Sequence, residues 1–305
     1  MLHKLKAPSS FFQRLKATIT AFINFTPLAI SILIVNLLQF CSLLVKPFSP
    51  RLFRRINCAF GYLWWGSVVF LMEKIRKIEF IFSGEKTPVG ESVALIANHQ
   101  SMADVTAIWS LAIRKKRLGQ LKWFAKDILK YVPGAGWGLY ISGHFFVKRD
   151  WLRDQKRIDK VFERVLREKE PMWVISFLEG TRITAEKLKH SQQFCKERSR
   201  PIMEHILAPR TKGFEAIIRS LRSGLDAVYD VTIAFPDGIP TITQLFCGYI
   251  TKVNIHVRRF PIQTIPLTDK EIGDWVWKIF AEKDELLKYF VRHNSFPGPV
   301  LYDPL

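Results

Sequence analysis

From Ile19 to Val45 the chain carries no charged side chain, a run of 27 residues. About 20 consecutive apolar residues suffice for a helix to cross the hydrocarbon core of a bilayer. A cleavable signal peptide has an apolar stretch of only ~7–15 residues followed by a small-residue cleavage site. The run fits neither feature and is expected to persist as a membrane helix. Its flanks are basic on both sides, with Lys4, Lys6, Arg14 and Lys16 before it and Lys46, Arg51, Arg54 and Arg55 after it. The positive-inside rule therefore gives no orientation. A second apolar run, Cys58 to Met72, carries Trp64 and Trp65 but is short for a full crossing. One crossing plus an interfacial helix, or two helices dipping into one leaflet, both fit this pattern. The competing reading is a buried helix of a soluble domain.

Past Met72 the pattern changes to short β-rich runs alternating with amphipathic helices, which predicts an α/β fold. Expected strands are Ile78 to Phe82, Val93 to Ala97, Met172 to Leu178, His205 to Ala208, Ala227 to Phe235, and an alternating segment through Val253, Ile255 and Val257. Ser101 to Ile113 reads as a helix, and Ile158, Val161, Phe162, Val165 and Leu166 form one stripe of another helix within Arg153 to Glu170. Phe214, Ile217, Ile218 and Leu221 mark a further helix. Thr268 and Glu271 form a capping box opening a helix to about Tyr289. The expected organisation is membrane-anchoring helices over residues 1–75 and a single α/β domain over 76–305 with a C-terminal helical tail.

The chain has 46 Lys and Arg against 27 Asp and Glu, a formal charge of +19. That excess favours polyanionic surroundings such as nucleic acid, anionic lipid or phosphorylated substrates. Cys41, Cys58, Cys195 and Cys247 lie far apart, so neither a zinc site nor a disulfide framework is expected.

Three polar clusters follow expected strands, where open α/β sheets tend to bind ligands. The first is Asn98-His99-Gln100-Ser101-Met102-Ala103-Asp104. On one ideal helix, residues five apart would differ by about 140°. His99 and Asp104 can meet only if His99 lies in the strand-end loop and Asp104 in the first helical turn. Asp104 would then hold one ring nitrogen and leave the other free as a general base, as in a Ser-His-Asp triad without its serine. The alternative is that Ser101 and Asp104 merely cap the helix and His99 is a satisfied loop residue. The second cluster is Gly143-His144-Phe145-Phe146-Val147-Lys148-Arg149, in which Arg149 suits a phosphate. The third is Glu179-Gly180-Thr181-Arg182, whose Glu179 and Arg182 would bind polar groups of a substrate or pair with each other.

Taken in order, His-x4-Asp, Gly-x-x-Phe-x-x-Arg, Glu-Gly-Thr-Arg and Pro209 after an apolar segment resemble the four blocks of the glycerolipid acyltransferase family. The likeness covers roughly Glu91 to Phe235. Its words Asn98-His99-Gln100-Ser101, Phe177-Leu178-Glu179-Gly180-Thr181-Arg182 and Pro209-Arg210-Thr211-Lys212-Gly213-Phe214 are similar to the lysophosphatidic acid and lysocardiolipin acyltransferase branch, bacterial YihG-type members included. Leu178 stands where the family usually has proline. The resemblance implies a glycerolipid-acyltransferase-like mixed sheet flanked by helices and anchored in a membrane. It also implies transfer of a fatty acyl group from a thioester to a glycerol hydroxyl of a lysophospholipid, without metal or other cofactor. By position, His99 would be the general base and Asp104 its orienter. Lys126, Arg149, Glu179, Gly180, Thr181 and Arg182 would bind the acyl acceptor and its phosphate.

Lysophosphatidic acid is the expected acceptor, with lysophosphatidylglycerol or monolysocardiolipin as the alternative. The donor is acyl-CoA or acyl carrier protein, and the catalytic domain is expected to face the cytoplasm, where thioesters are made (the inner membrane in a bacterium). Ile183 to Pro201 reads as a basic loop that meets lipid headgroups, coenzyme A phosphates or acyl carrier protein, or is simply solvated. The Gly- and aromatic-rich segment Tyr131 to Tyr140 reads as a membrane-facing loop. A lipid-binding scaffold without catalysis would use the same fold but not need every motif residue. Nucleic-acid binding would explain the charge, yet leaves the apolar run and the ordered motifs without a role.

Overall fold

The structure is a computed structural model and describes residues 3–6, 10–147, 159 and 161–301. The uncharged run forms the long helix α1 (Phe11–Ser42). The second apolar run belongs to a longer helix than expected, α2 (Pro50–Phe70), because Ser49 caps its start by accepting the Leu52 N–H and Pro50 sits in the first turn. The two helices pair antiparallel. Trp64 donates its indole N–H to Ser31 Oγ (3.1 Å), and Asn57 donates to Ser42 Oγ (3.0 Å).

Helix α1 is turned inside out relative to a water-soluble helix. Its buried side chains include Asn24, Asn36, Gln39 and Ser42, whereas Phe22, Ile23, Leu33 and Leu37 are each more than half exposed. Buried polar groups must be hydrogen-bonded, and most here are. Asn24 donates to the Phe246 carbonyl (2.9 Å), Asn36 to Gln39 (3.1 Å) and Gln39 to Ser142 Oγ (3.0 Å). A buried soluble helix would show the opposite faces, so that reading of the run is excluded.

Among the described residues eight strands form one mixed sheet. They are β1 (Glu79–Gly84), β2 (Val93–Ala97), β3 (Leu121–Lys126), β4 (Phe145–Val147), β5 (Trp173–Ser176), β6 (Ala227–Ala234), β7 (Lys252–Pro261) and β8 (Val300–Leu301). Their order is β4-β3-β5-β2-β6-β7-β1-β8. The first five run parallel, β7 is antiparallel to β6 and parallel to β1, and β8 closes the edge antiparallel to β1. All five residues of β2 are buried, as a central parallel strand requires.

One face of the sheet carries α2, α3 (Asp104–Arg114) and α8 (Ile242–Cys247), with Trp65, Val68, Ile108, Leu111 and Leu245 packed on Leu95 and Val93. The other carries α5 (residues 161–167), α7 (Lys212–Leu221) and α9 (Asp269–His293), with Phe162, Phe214, Ile217 and Phe280 packed around Ala94 and Ile96. The expected capping box forms: Thr268 Oγ1 accepts the Glu271 N–H, and Glu271 reaches back to the Thr268 N–H. Of the helix expected over Arg153 to Glu170, the part before residue 159 lies outside the described residues.

Two expected loops contain helices. Ile183 to Pro201 contains α6 (Ala185–Glu197), started by Thr184 accepting the Lys187 N–H. Tyr131 to Tyr140 leads into α4 (Ala135–Ile141), which lies against α1 through Phe40 and Trp137, whose ring centroids are 5.6 Å apart. Conversely, His205 to Ala208 is not a strand. Its amides are taken by side chains instead of a ladder: Asp284 accepts from Glu204 and His205, Glu179 from Leu207, and Ser191 from Ala208.

Candidate active site

Residue 98 ends β2 by imitating one more strand residue. The Asn98 side chain accepts the Ile233 N–H (2.8 Å) and donates to the Ile233 carbonyl (2.9 Å), fixing the end of β2 to β6. His99 follows in the loop, and Asp104 opens α3. His99 Nδ1 lies 3.0 Å from Asp104 Oδ2, the arrangement that their spacing predicts only across a strand–helix junction. The same oxygen accepts the backbone N–H groups of Gln100 (2.7 Å) and Ser101 (2.8 Å). One carboxylate thus makes both the cap of the turn and the contact with the His99 ring. Ser101 completes the turn by accepting the Ala103 N–H (3.0 Å) and donating to the Pro240 carbonyl.

Asp104 is fully buried, and burial pushes its carboxyl above the usual range, opposed by the bonds from His99 and the two amides. An ionised carboxylate only accepts, so the Nδ1 contact suits a ring that donates from Nδ1, and in its neutral form such a ring keeps the Nε2 lone pair free. The ring lies on Phe177, centroids 4.0 Å apart and nearly parallel, with Trp123 stacked beyond it. Phe177 and Trp123 pack against the core that holds α2 and α3, so the ring sits on the side of the sheet where α1 and α2 dock.

Glu179 departs from expectation. It is buried, its Oε1 accepts the His99 backbone N–H (2.6 Å), and its Oε2 accepts the Leu207 N–H (3.0 Å). Both oxygens accept bonds from the backbone, and Glu179 forms no ion pair with Arg182. It latches the loop that carries His99 to the segment before Pro209. Burial raises its carboxyl to about 8, against the lowering effect of the two amides. Gly180 adopts φ +68°, and a Cβ there would approach the Arg210 side chain to 3.2 Å. A left-handed, crowded position of this kind favours glycine. The loop is closed by Ile183 N–H bonding the His99 carbonyl (3.0 Å) and Arg210 N–H bonding the Leu178 carbonyl (2.8 Å).

Thr181 Oγ1 accepts a bond from Lys187 Nζ (2.6 Å), while Arg182 and Arg210 are exposed and form no ion pair among the described residues. Lys126 is exposed at the C-terminal end of β3. Arg149 lies outside the described residues. In the same cluster His144 is buried and accepts the Trp123 N–H through Nδ1 (3.0 Å). Burial, helped by Lys122, holds its pKa well below the usual range, so it is a neutral structural group. Asn98, Phe177 and Arg210 stand in the sequence only as members of motif words, with no role assigned; the first two carry a faint local signal, a polar residue ending a strand and an aromatic two before the Glu-Gly turn. Among the described residues no three His, Cys, Asp or Glu side chains converge as metal ligands would.

A family model described as Acyltransferase matches residues 79–236, and one described as Acyltransferase C-terminus matches residues 244–304. The chain is 34% identical over 274 residues to 1-acyl-sn-glycerol-3-phosphate acyltransferase gamma of Homo sapiens, covering 88% of this chain and 73% of that one. It is 35% identical over 258 residues to probable 1-acyl-sn-glycerol-3-phosphate acyltransferase 5 of Arabidopsis thaliana, covering 84% and 69%. The crystal structure of the 1-acyl-sn-glycerophosphate acyltransferase PlsC from Thermotoga maritima superposes with a TM-score of 0.58 at 15% identity, over 90% of this chain and 98% of that one. At that identity the likeness speaks for the fold. The narrower YihG-type resemblance rests on the sequence words alone. With His-x4-Asp assembled at the strand ends and the family model spanning it, the chain belongs to the glycerolipid acyltransferase family as a 1-acylglycerol-3-phosphate O-acyltransferase-like enzyme.

Proposed function

We propose that the protein is membrane-bound and transfers a fatty acyl group from a thioester to the free glycerol hydroxyl of lysophosphatidic acid, with His99 as general base. The observation that carries this reading is the 3.0 Å contact of His99 Nδ1 with buried Asp104, which supports a neutral ring that donates from Nδ1 and uses Nε2 as the base. The acceptor hydroxyl gives its proton to Nε2 as its oxygen attacks the thioester carbonyl. The resulting tetrahedral intermediate expels the thiolate, which takes the proton from the imidazolium. Asp104 steadies the ring while it is charged. No side chain of the protein is acylated in this scheme. The exposed cations Lys126 and Arg182 hold the acceptor phosphate, and Arg149 belongs to the same group by its motif. The relatives named above, whose names carry this acceptor, support the choice of lysophosphatidic acid.

Membrane attachment is by α1 and α2. Contacts of α1 with α8 at Asn24 and with α4 at Phe40 lie 16 residues apart, about 24 Å along a helix. An upright crossing would draw α4 and α8 into most of the ~30 Å core. The helices therefore lie within one leaflet, with the catalytic domain on the cytoplasmic side that supplies thioesters.

The test is to incubate purified protein and a His99→Ala variant with oleoyl-CoA and a lysophospholipid panel, reading diacyl products by mass spectrometry. Phosphatidic acid from wild type, reduced by about 10²–10⁴ in the variant, is expected. Equal product from both removes His99 as the base, and product only from head-group-bearing acceptors replaces lysophosphatidic acid.

A further inference from the structure

His99 has an aromatic floor as well as an acidic partner. Strand β5 runs parallel beside β2 with Ile96 opposite Ser176, so Phe177, the next residue, leaves the sheet beside the loop that carries His99. Its ring lies flat against the imidazole, with centroids 4.0 Å apart and an interplanar angle of 16°. Two bonds fix this placement. The Gly180 N–H closes a turn on the Phe177 carbonyl (3.0 Å), and Glu179 in that turn accepts the His99 N–H (2.6 Å). One turn therefore holds both the backbone of the histidine and the ring against its side chain. Trp123 of β3 stacks on Phe177 in turn, with centroids 6.0 Å and planes 27° apart.

The edge and the face of the imidazole meet different chemistry. Fully buried Asp104 contacts the edge at Nδ1 (3.0 Å). Phe177 covers a face and has no atom that exchanges a proton. When Nε2 takes the proton of the acceptor hydroxyl, the ring becomes a cation for the lifetime of the intermediate. A cation within about 6 Å of an aromatic centroid, over the ring face, is attracted by the ring quadrupole, and more strongly where water is excluded. The His99 side chain is only 13% exposed. The neutral imidazole gains little from that quadrupole. The contact is thus stronger in the transition state than in the ground state, which is the condition for an interaction to raise the rate.

We propose that Phe177 is a positioning residue of the acyl transfer, whose ring face stabilises the imidazolium that His99 becomes. The proposal rests on the general-base reading above, and its test is separable from the test of that reading.

Full-length protein in detergent would carry mono-, di-, tri- and pentafluorophenylalanine in place of Phe177. Fluorine withdraws electron density from the ring face and leaves its shape nearly unchanged. The readouts are thermal melts, KM for lysophosphatidic acid and for oleoyl-CoA, and the single-turnover rate of acyl transfer by rapid quench. The rate should fall stepwise with fluorine number, by about 2- to 30-fold in total, the rate equivalent of such a contact. Melts and both KM values should stay in place. Phe177→Leu, which keeps an apolar side chain on the core but no ring face, should lose at least as much rate. Equal rates across the folded fluorine series overturn the proposal and leave Phe177 a packing residue. A raised KM for lysophosphatidic acid at an unchanged single-turnover rate overturns it in favour of a ring that touches the acceptor. A His99→Ala variant as active as wild type refutes the general-base reading and this proposal with it, whereas a flat fluorine series beside an inactive His99→Ala refutes this proposal alone.

Discussion

Replacing Glu179 by Gln separates two roles that the Glu-Gly-Thr-Arg motif leaves open. In the structure both Glu179 oxygens accept backbone amides, from His99 at 2.6 Å and Leu207 at 3.0 Å, inside a buried setting. Gln keeps one acceptor and turns an NH₂ toward the other amide. One buried N–H then loses its partner, at about 1–3 kcal/mol. At ~2–4 °C per kcal/mol for a domain of 150–250 residues, Tm should fall by about 2–12 °C, read by tryptophan fluorescence in detergent. Because the lost bond helps fix the loop carrying the base, kcat should fall while KM for lysophosphatidic acid stays nearly constant. An unchanged Tm with KM raised tenfold would refute the reasoning, since that pattern belongs to a carboxylate touching the acceptor. There is also a pH signature. Burial raises this carboxyl to about 8, above the ordinary 4.5. Between those values the folded protein holds a proton that the unfolded chain has released. The stability it contributes is complete below about pH 4.5 and is lost as pH rises through 8. The wild-type Tm should therefore decline across this window more than that of the Gln variant.

Asp104→Asn leaves an oxygen for the Gln100 and Ser101 amides but removes the charge that supports the imidazolium. We expect kcat lowered by about 10²–10⁴ with KM little changed, and a variant as active as wild type would contradict the assigned role. Leu33 and Leu37, 53% and 64% exposed on α1, face lipid in the proposed attachment. Leu33→Lys/Leu37→Lys should reduce flotation with liposomes while leaving the melt of the α/β part in place. Undiminished flotation would exclude that face.

The sequence by itself determined the parts governed by local chemistry. An uncharged run of 27 residues is long enough for a membrane helix, and it forms the long α1, whose apolar side chains are largely exposed. The β2 run, the buried strands β5 and β6 and the Thr268 capping box were legible because continuous apolar runs and reciprocal caps depend on neighbours in sequence. The His99–Asp104 pair was legible as well, since five residues across a strand–helix junction admit one way of meeting. Strands β3 and β4 were not, because Leu121–Lys126 mixes charged and aromatic residues and becomes a strand only through its pairing with β5. His205 to Ala208 looks like a strand, yet Asp284, Glu179 and Ser191 claim its amides from distant parts of the chain. Glu179 is the sharpest case: a motif names a carboxylate, but burial and two backbone donors contributed from 80 and 28 residues away decide where its oxygens point. The polar side of α1 follows the same rule. Asn24, Asn36 and Gln39 look misplaced within an apolar helix until α4, α8 and the helix's own neighbours supply their partners, and only the tertiary structure brings those together.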